Sequence, residues 1–312
     1  MLNYDKLYRK PAIFRSFTGL EVPEFDALYT KIDEKYPEYE EKRLYREDRQ
    51  RAVGAGHPFS LDLRNRLLML LIYHRLYVTS TLLGFLVDLS QSNVLKNIRK
   101  LEPLVRETLP LPSKIHKAAQ RLRTLEEVEE HFPGFQAFLD ATEQEIPRPG
   151  NKCKRRTHYS GKKKRHTVKT QITVTKRSVI VHRSQHARGS RHDYSLFNWR
   201  RPSLPDEVCL EVDLGYDGVQ NDYPELKVKV PFKRRSPGRG KRGVKAQELT
   251  EEQKEYNRVL ASERVVVEHA ISRLKKYRIM AHVFRNRLRH YDVMTDIICG
   301  LVNLRILGAA AL

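Results

Sequence analysis

Four short runs of apolar and β-branched residues, followed by one long helical pattern, constrain the fold of this 312-residue chain most strongly. The runs cover residues 135–140, 167–175, 178–185 and 208–213, and turn-forming residues bound each one, which predicts strands. Thr250 and Gln253 then form a capping box, which predicts a helix from there to about residue 279. Strands followed by helices are typical of a layered α/β domain.

A helical region precedes these strands. Leucines recur at helical spacing from Leu63 to Leu71, which predicts a helix capped by Ser60. Residues 79–87 predict a second, short helix, and Ser90 is a good N-cap for a third. Residues 1–56 are rich in charge and tyrosine, and we expect a helical arm or linker there.

The third predicted helix has a core face and a polar face. Val94, Ile98 and Leu101 are spaced to face the core. The side chains left outside are Gln91, Asn93, Lys96, Asn97, Arg99 and Lys100. A short helix, a tight turn and a helix with such a face predict a helix-turn-helix, whose second helix would enter the major groove of DNA. The alternative is a plain three-helix packing unit with a solvated polar face, because the usual turn glycine is absent.

The charge of the chain is large and unevenly distributed. Its net charge is +21, and +16 of this falls between residues 151 and 250. Eight lysines and arginines and no acid lie between Lys152 and Arg165, which is denser than a soluble basic surface requires. This pattern predicts contact with a polyanion, and nucleic acid is the expected partner.

Cysteine usage and the apolar segments indicate an intracellular protein. The three cysteines are too far apart for a zinc-ligand pattern, so we predict free thiols and no zinc site. The N-terminus lacks the pattern of a secretory signal. The apolar stretch 293–307 contains Asp296, Asn303 and Arg305, which predicts a packed helix rather than a membrane span. A cytoplasmic, nucleoid-associated location is therefore expected.

Three acids are the candidate catalytic residues. Asp140 and Asp213 each end a predicted strand, where a rigid backbone can present a carboxylate to a ligand. Glu268 shares one face of the long helix with Arg264 and Lys275. Three converging carboxylates would suit Mg²⁺ or Mn²⁺, and two such ions about 4 Å apart would catalyse an in-line displacement at phosphorus. Taken singly, each acid is more simply explained as a turn former or as a salt-bridge partner.

The surrounding motifs resemble those of the DDE transposases of bacterial insertion sequences related to Harbinger elements. The matching segments are Asp140-Ala-Thr-Glu-Gln-Glu-Ile-Pro, Tyr159-Ser-Gly-Lys-Lys-Lys-Arg-His, Gly189-Ser-Arg-His-Asp-Tyr and Asp213-Leu-Gly-Tyr-Asp-Gly. The family's helix pattern is Tyr, two residues, Arg, three residues, Glu, six residues and Lys. Arg264, Glu268 and Lys275 fit this pattern, whereas Ala261 stands at the Tyr position.

The resemblance implies a fold and an activity. It implies a ribonuclease H-like catalytic domain, a mixed sheet flanked by helices, preceded by an all-α helix-turn-helix domain. The expected domains are an arm at 1–56, a DNA-binding domain at 57–130 and a catalytic domain at 131–312 with a basic loop at 233–249. Such an enzyme binds transposon ends, hydrolyses phosphodiesters to free 3′-hydroxyls and joins them to target DNA. Asp140, Asp213 and Glu268 would hold two Mg²⁺ or Mn²⁺ ions, and synapsis of two ends implies a homodimer.

The remaining site residues follow from charge and from the resemblance. Double-stranded DNA is expected to contact Gln91, Asn93, Lys96, Asn97 and Arg99 in the third helix, Lys154, Arg155, Arg156, Lys162, Lys163, Lys164 and Arg165 in the first basic tract, Lys233, Arg234 and Arg235 in the basic loop, and Arg264 and Lys275 in the long helix. Asp193 is a secondary catalytic candidate, but it opens a helix and is better explained as that helix's N-terminal cap and charge.

Three alternative functions remain open at the level of sequence. A transcription regulator would explain the helix-turn-helix and the basic charge, but it gives no reason for the three acids. A ribonuclease or resolvase of the same fold would explain the acids, but it would not need a separate domain for recognising element ends. A domesticated, non-transposing DNA-binding or regulatory protein derived from such a transposase would have the same sequence features.

Overall fold

The computed structural model describes residues 1–48, 50, 52, 55–56, 58–234 and 248–312. Arg235 and most of the predicted basic loop therefore lie outside the described residues. The helices are α1 Tyr4–Tyr8, α2 Pro11–Thr18, α3 Val22–Leu44, α4 Leu63–Leu76, α5 Ser80–Val87, α6 Gln91–Thr108, α7 Pro112–Ala119, α8 Leu125–His131, α9 Lys152–His158, α10 Asp193–Arg200, α11 Val219–Asp222, α12 Glu251–Lys275, α13 Arg278–Ala281 and α14 Tyr291–Leu307. The strands are β1 Gln136–Glu145, β2 Tyr159–Ser160, β3 Arg165–Thr175, β4 Ile180–Arg183, β5 Ala187–Arg188, β6 Cys209–Glu211 and β7 Val228–Lys229.

The chain divides into two compact units. One comprises Met1–Leu111 with Arg273–Leu312, and the other comprises Pro112–Ser272. These boundaries differ from the domains expected from sequence, because C-terminal helix α14 packs in the same unit as the helix-turn-helix. In that unit the buried carboxylate of Asp296 forms an ion pair with the guanidinium of Arg106 at 2.7 Å. The expectation that residues 293–307 form a packed helix is confirmed.

The N-terminal residues are part of the first unit rather than an arm. The rings of Tyr4, Phe14 and Phe25 lie 5.3–6.0 Å apart, and Phe14 and Phe25 are fully buried. Burial of these aromatic rings drives the packing of the N-terminal helices. The many charged residues around them lie on the outer faces of α2 and α3, so the apolar faces are hard to recognise in the sequence. Residues 4–44 are therefore helical, and their helices pack into the first unit.

The helix-turn-helix is present as α5 and α6. Ser90 caps α6, as predicted, and Thr79, which was expected to be the first residue of the second helix, is instead the N-cap of α5. Asp88 supplies the left-handed turn conformation with a φ of 58°, which explains how the turn forms without a glycine there. The preceding helix α4 is capped by Asp62 and not by Ser60.

The polar face of α6 differs from the prediction at one residue. Val94, Ile98 and Leu101 are buried, which confirms the core face. Asn97 is only 9% exposed, and its Nδ2 donates a 2.9 Å hydrogen bond to the Asn93 carbonyl. Asn97 was expected on the outer face and is instead part of the packed side, because it lies one turn from Leu101 on the buried stripe.

A mixed sheet forms the centre of the second unit. Its strand order is β2-β3-β1-β6-β7, with β4 and β5 also pairing with β3. Central strand β1 is antiparallel to β3 and parallel to β6, and β6 is parallel to β7. This mixed sheet with its helices, preceded by the helical domain, confirms the predicted fold class of an α/β domain that follows an all-α helix-turn-helix domain.

Two boundaries in this unit depart from the prediction. Strand β1 continues to Glu145, because residues 141–145 keep pairing with β3, so Asp140 lies within the strand and not at its end. Helix α12 begins after the reciprocal hydrogen bonds of Thr250 and Gln253, as predicted, but it ends at Lys275. The reason is that Tyr277 takes an extended conformation and starts the separate helix α13.

Candidate active site

The parallel pairing of β1 and β6 brings Asp140 and Asp213 to the same level of the sheet. Phe138 is aligned with Glu211, and each aspartate lies two residues further along its own chain. Residues two apart on a strand point to the same face, so the two carboxylates lie side by side. Asp213 stands just beyond β6, where its Oδ1 accepts a 2.8 Å hydrogen bond from the Gly215 amide.

Asp193 joins these two acids from the start of α10. A Cβ atom added to Gly215 would lie 2.9 Å from Oδ1 of Asp213 and 3.5 Å from Oδ2 of Asp193. Glycine at this position therefore leaves room for two carboxylates from distant parts of the chain. Asp140, Asp193 and Asp213 form the acid cluster.

The electrostatics of Asp140 reflect this crowding. The pKa of Asp140 is raised from 3.8 to about 6, chiefly by burial and in smaller part by the negative charges of Asp213 and Asp193. The Ala141 amide, which donates a 2.7 Å hydrogen bond to Oδ1, and the guanidinium of Arg264 act in the opposite direction. A buried carboxylate beside like charges is stabilised by a cation, and carboxylate oxygens are the donors that Mg²⁺ and Mn²⁺ prefer. The donor chemistry of Asp140 and Asp213 therefore fits a divalent metal.

Two buried donors near the acid cluster have no hydrogen-bond partner in the described part of the chain. They are the hydroxyl of Tyr216 and Nε of Arg264. Burial, together with the charges of Asp193, Asp140 and Asp213, holds the pKa of Tyr216 well above its usual value, so this hydroxyl keeps its proton. Unsatisfied buried donors are costly, which indicates that water or a bound anion completes their hydrogen bonding.

A buried lysine holds Asp193 in place. Lys169 is 7% exposed, and its ammonium lies 2.8 Å from Oδ1 of Asp193 and 3.6 Å from Oε1 of Glu143. It also donates a 2.9 Å hydrogen bond to the Arg191 carbonyl. The N-cap of α10 is His192, so the interpretation of Asp193 as the cap is wrong, whereas its expected negative charge in the first turn of the helix is present. One carboxylate oxygen of Asp193 pairs with Lys169, and the other lies on the side of Asp213.

Glu268 is not gathered with the aspartates. It is exposed on α12, one helical turn beyond Arg264. Over the described residues, no group of three or more His, Cys, Asp or Glu side chains is arranged to hold a metal ion. The structure thus brings together Asp140, Asp213, Asp193 and Arg264, and it leaves Glu268 outside this group.

Most of the residues predicted to contact DNA lie at the surface of their units. Gln91, Asn93, Lys96, Arg99, Lys154, Arg156, Lys162, Lys163, Lys164, Arg165 and Lys275 are exposed, whereas Arg155 is half-buried. Arg165 pairs with Glu145 at 3.0 Å, Lys233 with Asp217 at 3.3 Å and Arg234 with Glu248 at 2.9 Å. These exposed pairs are weak, so a polyanion can displace them.

Sequence reasoning missed Tyr216 and Lys169 as parts of the site. Tyr216 belongs to the Asp213-Leu-Gly-Tyr segment, which was noticed only for its aspartate. Lys169 stands in an otherwise apolar and threonine-rich strand, and a lone lysine at such a position was the available clue. Its burial could be recognised only once two carboxylates were seen to meet it.

Comparison with known proteins agrees with this geometry. The family described as "DDE superfamily endonuclease" matches residues 139–303, which is more than half of the chain. The chain belongs to the DDE superfamily of endonucleases. The family "Helix-turn-helix of DDE superfamily endonuclease" matches residues 59–111 of this DDE endonuclease.

A comparison with curated proteins found a relative, whereas a comparison with solved structures found no match. The DDE endonuclease is 29% identical over 260 residues to a probable transposase for insertion sequence element IS702 from Microchaete diplosiphon, and the match covers 82% of this chain and 85% of the relative. No solved structure matches it. Among its described helices, none is long and apolar enough to span a membrane.

Proposed function

We propose that this DDE endonuclease is the transposase of a bacterial insertion sequence of the Harbinger-related group. It binds the ends of its element, hydrolyses phosphodiesters to free 3′-hydroxyls and joins these to target DNA. The observation that carries the proposal is the side-by-side placement of Asp140 and Asp213 on adjacent parallel strands, with Arg264 beside them. The match to a probable transposase along most of both chains supports it.

The proposed site residues have distinct roles. Asp140, Asp213 and Glu268 would hold two Mg²⁺ or Mn²⁺ ions. When bound, the ions would supply activation of the attacking oxygen and stabilisation of the leaving oxygen. Arg264, whose Nε lacks a partner, binds the phosphate undergoing reaction. Lys169 keeps Asp193 oriented beside this phosphate.

DNA binding is divided between two regions in this proposal. The helix-turn-helix within residues 57–130 recognises element ends through Gln91, Asn93, Lys96 and Arg99, which are exposed on α6. The basic residues of 131–312, including Lys154, Arg156 and the 162–165 turn, bind the backbone without sequence choice. Two ends must be held together, so the active assembly is a homodimer.

A cleavage assay tests the catalytic part. The purified chain is mixed with DNA carrying the element ends, in Mg²⁺ or in EDTA, and 3′-hydroxyl products are measured. Asp140→Asn, Asp213→Asn and Glu268→Gln should each lower cleavage by about a thousandfold or more, because each removes a charged oxygen ligand. Matched controls are Asp206→Asn and Glu252→Gln, which neutralise exposed acids elsewhere in the same unit.

The outcomes separate the alternatives. Cleavage that persists in the Glu268→Gln variant while both aspartate variants are inactive would remove Glu268 from the site. Specific binding of the ends without any metal-dependent cleavage by the wild type would favour the domesticated DNA-binding protein. For end recognition, Asn93→Ala should reduce the preference for terminal inverted repeats over random DNA.

A further inference from the structure

Beside the acid cluster lies an open cleft of about 600 Å³, within the size range of sites for small organic groups. It is formed by residues 188–192 and the outer side of α10, and Arg188, Arg191, Ser195, Asn198 and Trp199 line it. We propose that this cleft, the nucleotide cleft, binds an unpaired nucleotide of a DNA strand, with Trp199 stacking on the base and the arginines contacting phosphates. The inference rests on the proposed function for its substrate, DNA.

Trp199 is the feature that selects a nucleobase. It is the only tryptophan of the chain and remains 46% exposed. The guanidinium carbons of Arg191 and Arg200 lie 4.7 and 4.4 Å from its ring centre. Both guanidinium groups lie over the half-exposed indole, so a base that stacks on Trp199 takes the place of one of them, and the displaced arginine contacts the phosphate of the same strand.

The floor of the nucleotide cleft is held rigidly. The Gly189 amide donates a 3.0 Å hydrogen bond to the Thr167 carbonyl, and Ser190 Oγ donates one of 2.6 Å to the Thr157 carbonyl. A side chain at Gly189 would collide with Thr167, so only glycine permits this close approach. Lys169 anchors the Arg191 carbonyl from below. A site built on such a loop is preorganised, which favours binding.

The position and charge of the nucleotide cleft point to a DNA strand. His192 lines it, and Asp193 of the acid cluster is the next residue along the chain, so the cleft lies near the proposed cleavage site. No acidic side chain lines it in the described part of the chain. Within a DNA duplex both faces of each internal base are covered by its neighbours, so an internal base can stack on Trp199 only after it has left the duplex. The bound nucleotide is therefore one that has left the duplex next to the cleaved phosphodiester.

The fluorescence of the single tryptophan tests the proposal directly. The full-length Asp213→Asn chain is titrated with three DNAs of equal length: a thymidine single strand, a fully paired duplex and the same duplex with three unpaired nucleotides at one end. Stacking should quench Trp199 emission with the single strand and with the frayed duplex, and less with the paired duplex. Fluorescence anisotropy of labelled DNA measures binding in the same samples.

Variants separate stacking from charge. Trp199→Ala should weaken single-strand binding by about 5- to 150-fold, whereas Trp199→Phe should retain most of it. Tyr8→Ala, which removes a similarly exposed ring in the other unit, should leave it unchanged. Binding of the single strand with unaltered Trp199 emission would overturn the proposal, and so would equal quenching by an acidic peptide of polyglutamate. Quenching as expected without any metal-dependent cleavage by the wild type would refute the transposase and leave the nucleotide cleft standing.

Discussion

Replacing Glu102 with glutamine is expected to stabilise the first unit at neutral pH. Glu102 lies on α6 of the helix-turn-helix and is 5% exposed. Burial raises its pKa from 4.5 to about 7, and the only opposing influence of note is the charge of Arg99. Because the folded pKa lies above the unfolded one, its stabilising contribution is complete below pH 4.5 and is lost as pH rises through 7.

The magnitude follows from this shift. One pKa unit corresponds to about 1.4 kcal/mol, so ionising Glu102 above pH 7 costs the folded state about 3 kcal/mol. Glutamine has the shape of the protonated acid and cannot ionise. The free energy of unfolding of the variant minus that of the wild type should therefore increase by about 3 kcal/mol between pH 4.5 and pH 8.

The neighbouring His74 must be considered in the same experiment. Its Nε2 lies 3.7 Å from Oε1 of Glu102, and burial lowers its pKa from 6.5 to about 4. Because the folded pKa is below the unfolded one, this histidine's contribution is present above pH 6.5 and is lost as pH falls through 4. That dependence is common to both proteins, so it cancels in the difference between them.

The assay is urea unfolding followed by circular dichroism at intervals from pH 4.5 to 8. Glu107→Gln, which removes an exposed charge from the same helix, is the matched control. If Glu102 were instead ionised and paired with a protonated His74, glutamine would destabilise the protein at every pH in this range. A difference that stays constant or falls with pH would therefore refute the reasoning.

Three further predictions concern packing and buried charge. Gly84→Ala should destabilise the protein by about 2 kcal/mol, because the added Cβ collides with the Leu89 carbonyl. This loss outweighs the gain of about 1 kcal/mol that alanine ordinarily gives over glycine inside a helix. Thermal unfolding checks the prediction, with Gly150→Ala as the control because a Cβ there meets no other atom. Lys169→Met should lower the free energy of unfolding by about 3–5 kcal/mol, because it leaves the carboxylates of Asp193 and Glu143 without their cation. Adding Asp193→Asn to this variant should recover part of the lost stability, and strictly additive effects of the two substitutions would contradict the ion pair. Phe14→Ala should lower the free energy of unfolding by about 3–5 kcal/mol, because Phe14 is fully buried, whereas Phe85→Ala should change it little because Phe85 is exposed. Equal effects of the two substitutions in urea titrations would mean that the N-terminal helices do not pack.

Local features of the fold could be read from sequence because they depend on short-range physics. The Ser90 cap, the capping box of Thr250 with Gln253 and the buried stripe of α6 all follow from residues within a few positions of each other. Strand locations were approximately right for the same reason. Their ends were less accurate, because β1 extends as far as β3 continues to pair with it.

The candidate site was only partly readable. Asp140 and Asp213 could be singled out because each follows an apolar strand-like run, and their matching motifs added weight. Asp193 was interpreted as a helix cap, since a helix-opening aspartate is usually one, but the N-cap is His192. Its true partner, Lys169, lies 24 residues earlier on β3, and no local pattern links the two.

The sequence by itself determined the helices of the helix-turn-helix region, the α/β class of the region that follows and the strongly basic charge. It also singled out Asp140, Asp213 and Glu268 as the candidate catalytic acids. Only the tertiary structure decided which distant groups meet: Asp140 with Asp213 through strand register, Asp193 with Lys169 through burial, and Trp199 with the arginines of the nucleotide cleft. The physical reason is that helix and turn formation depend on neighbours in the chain. Strand register and the compensation of buried charge depend on residues far apart in sequence, brought together by packing the whole sheet.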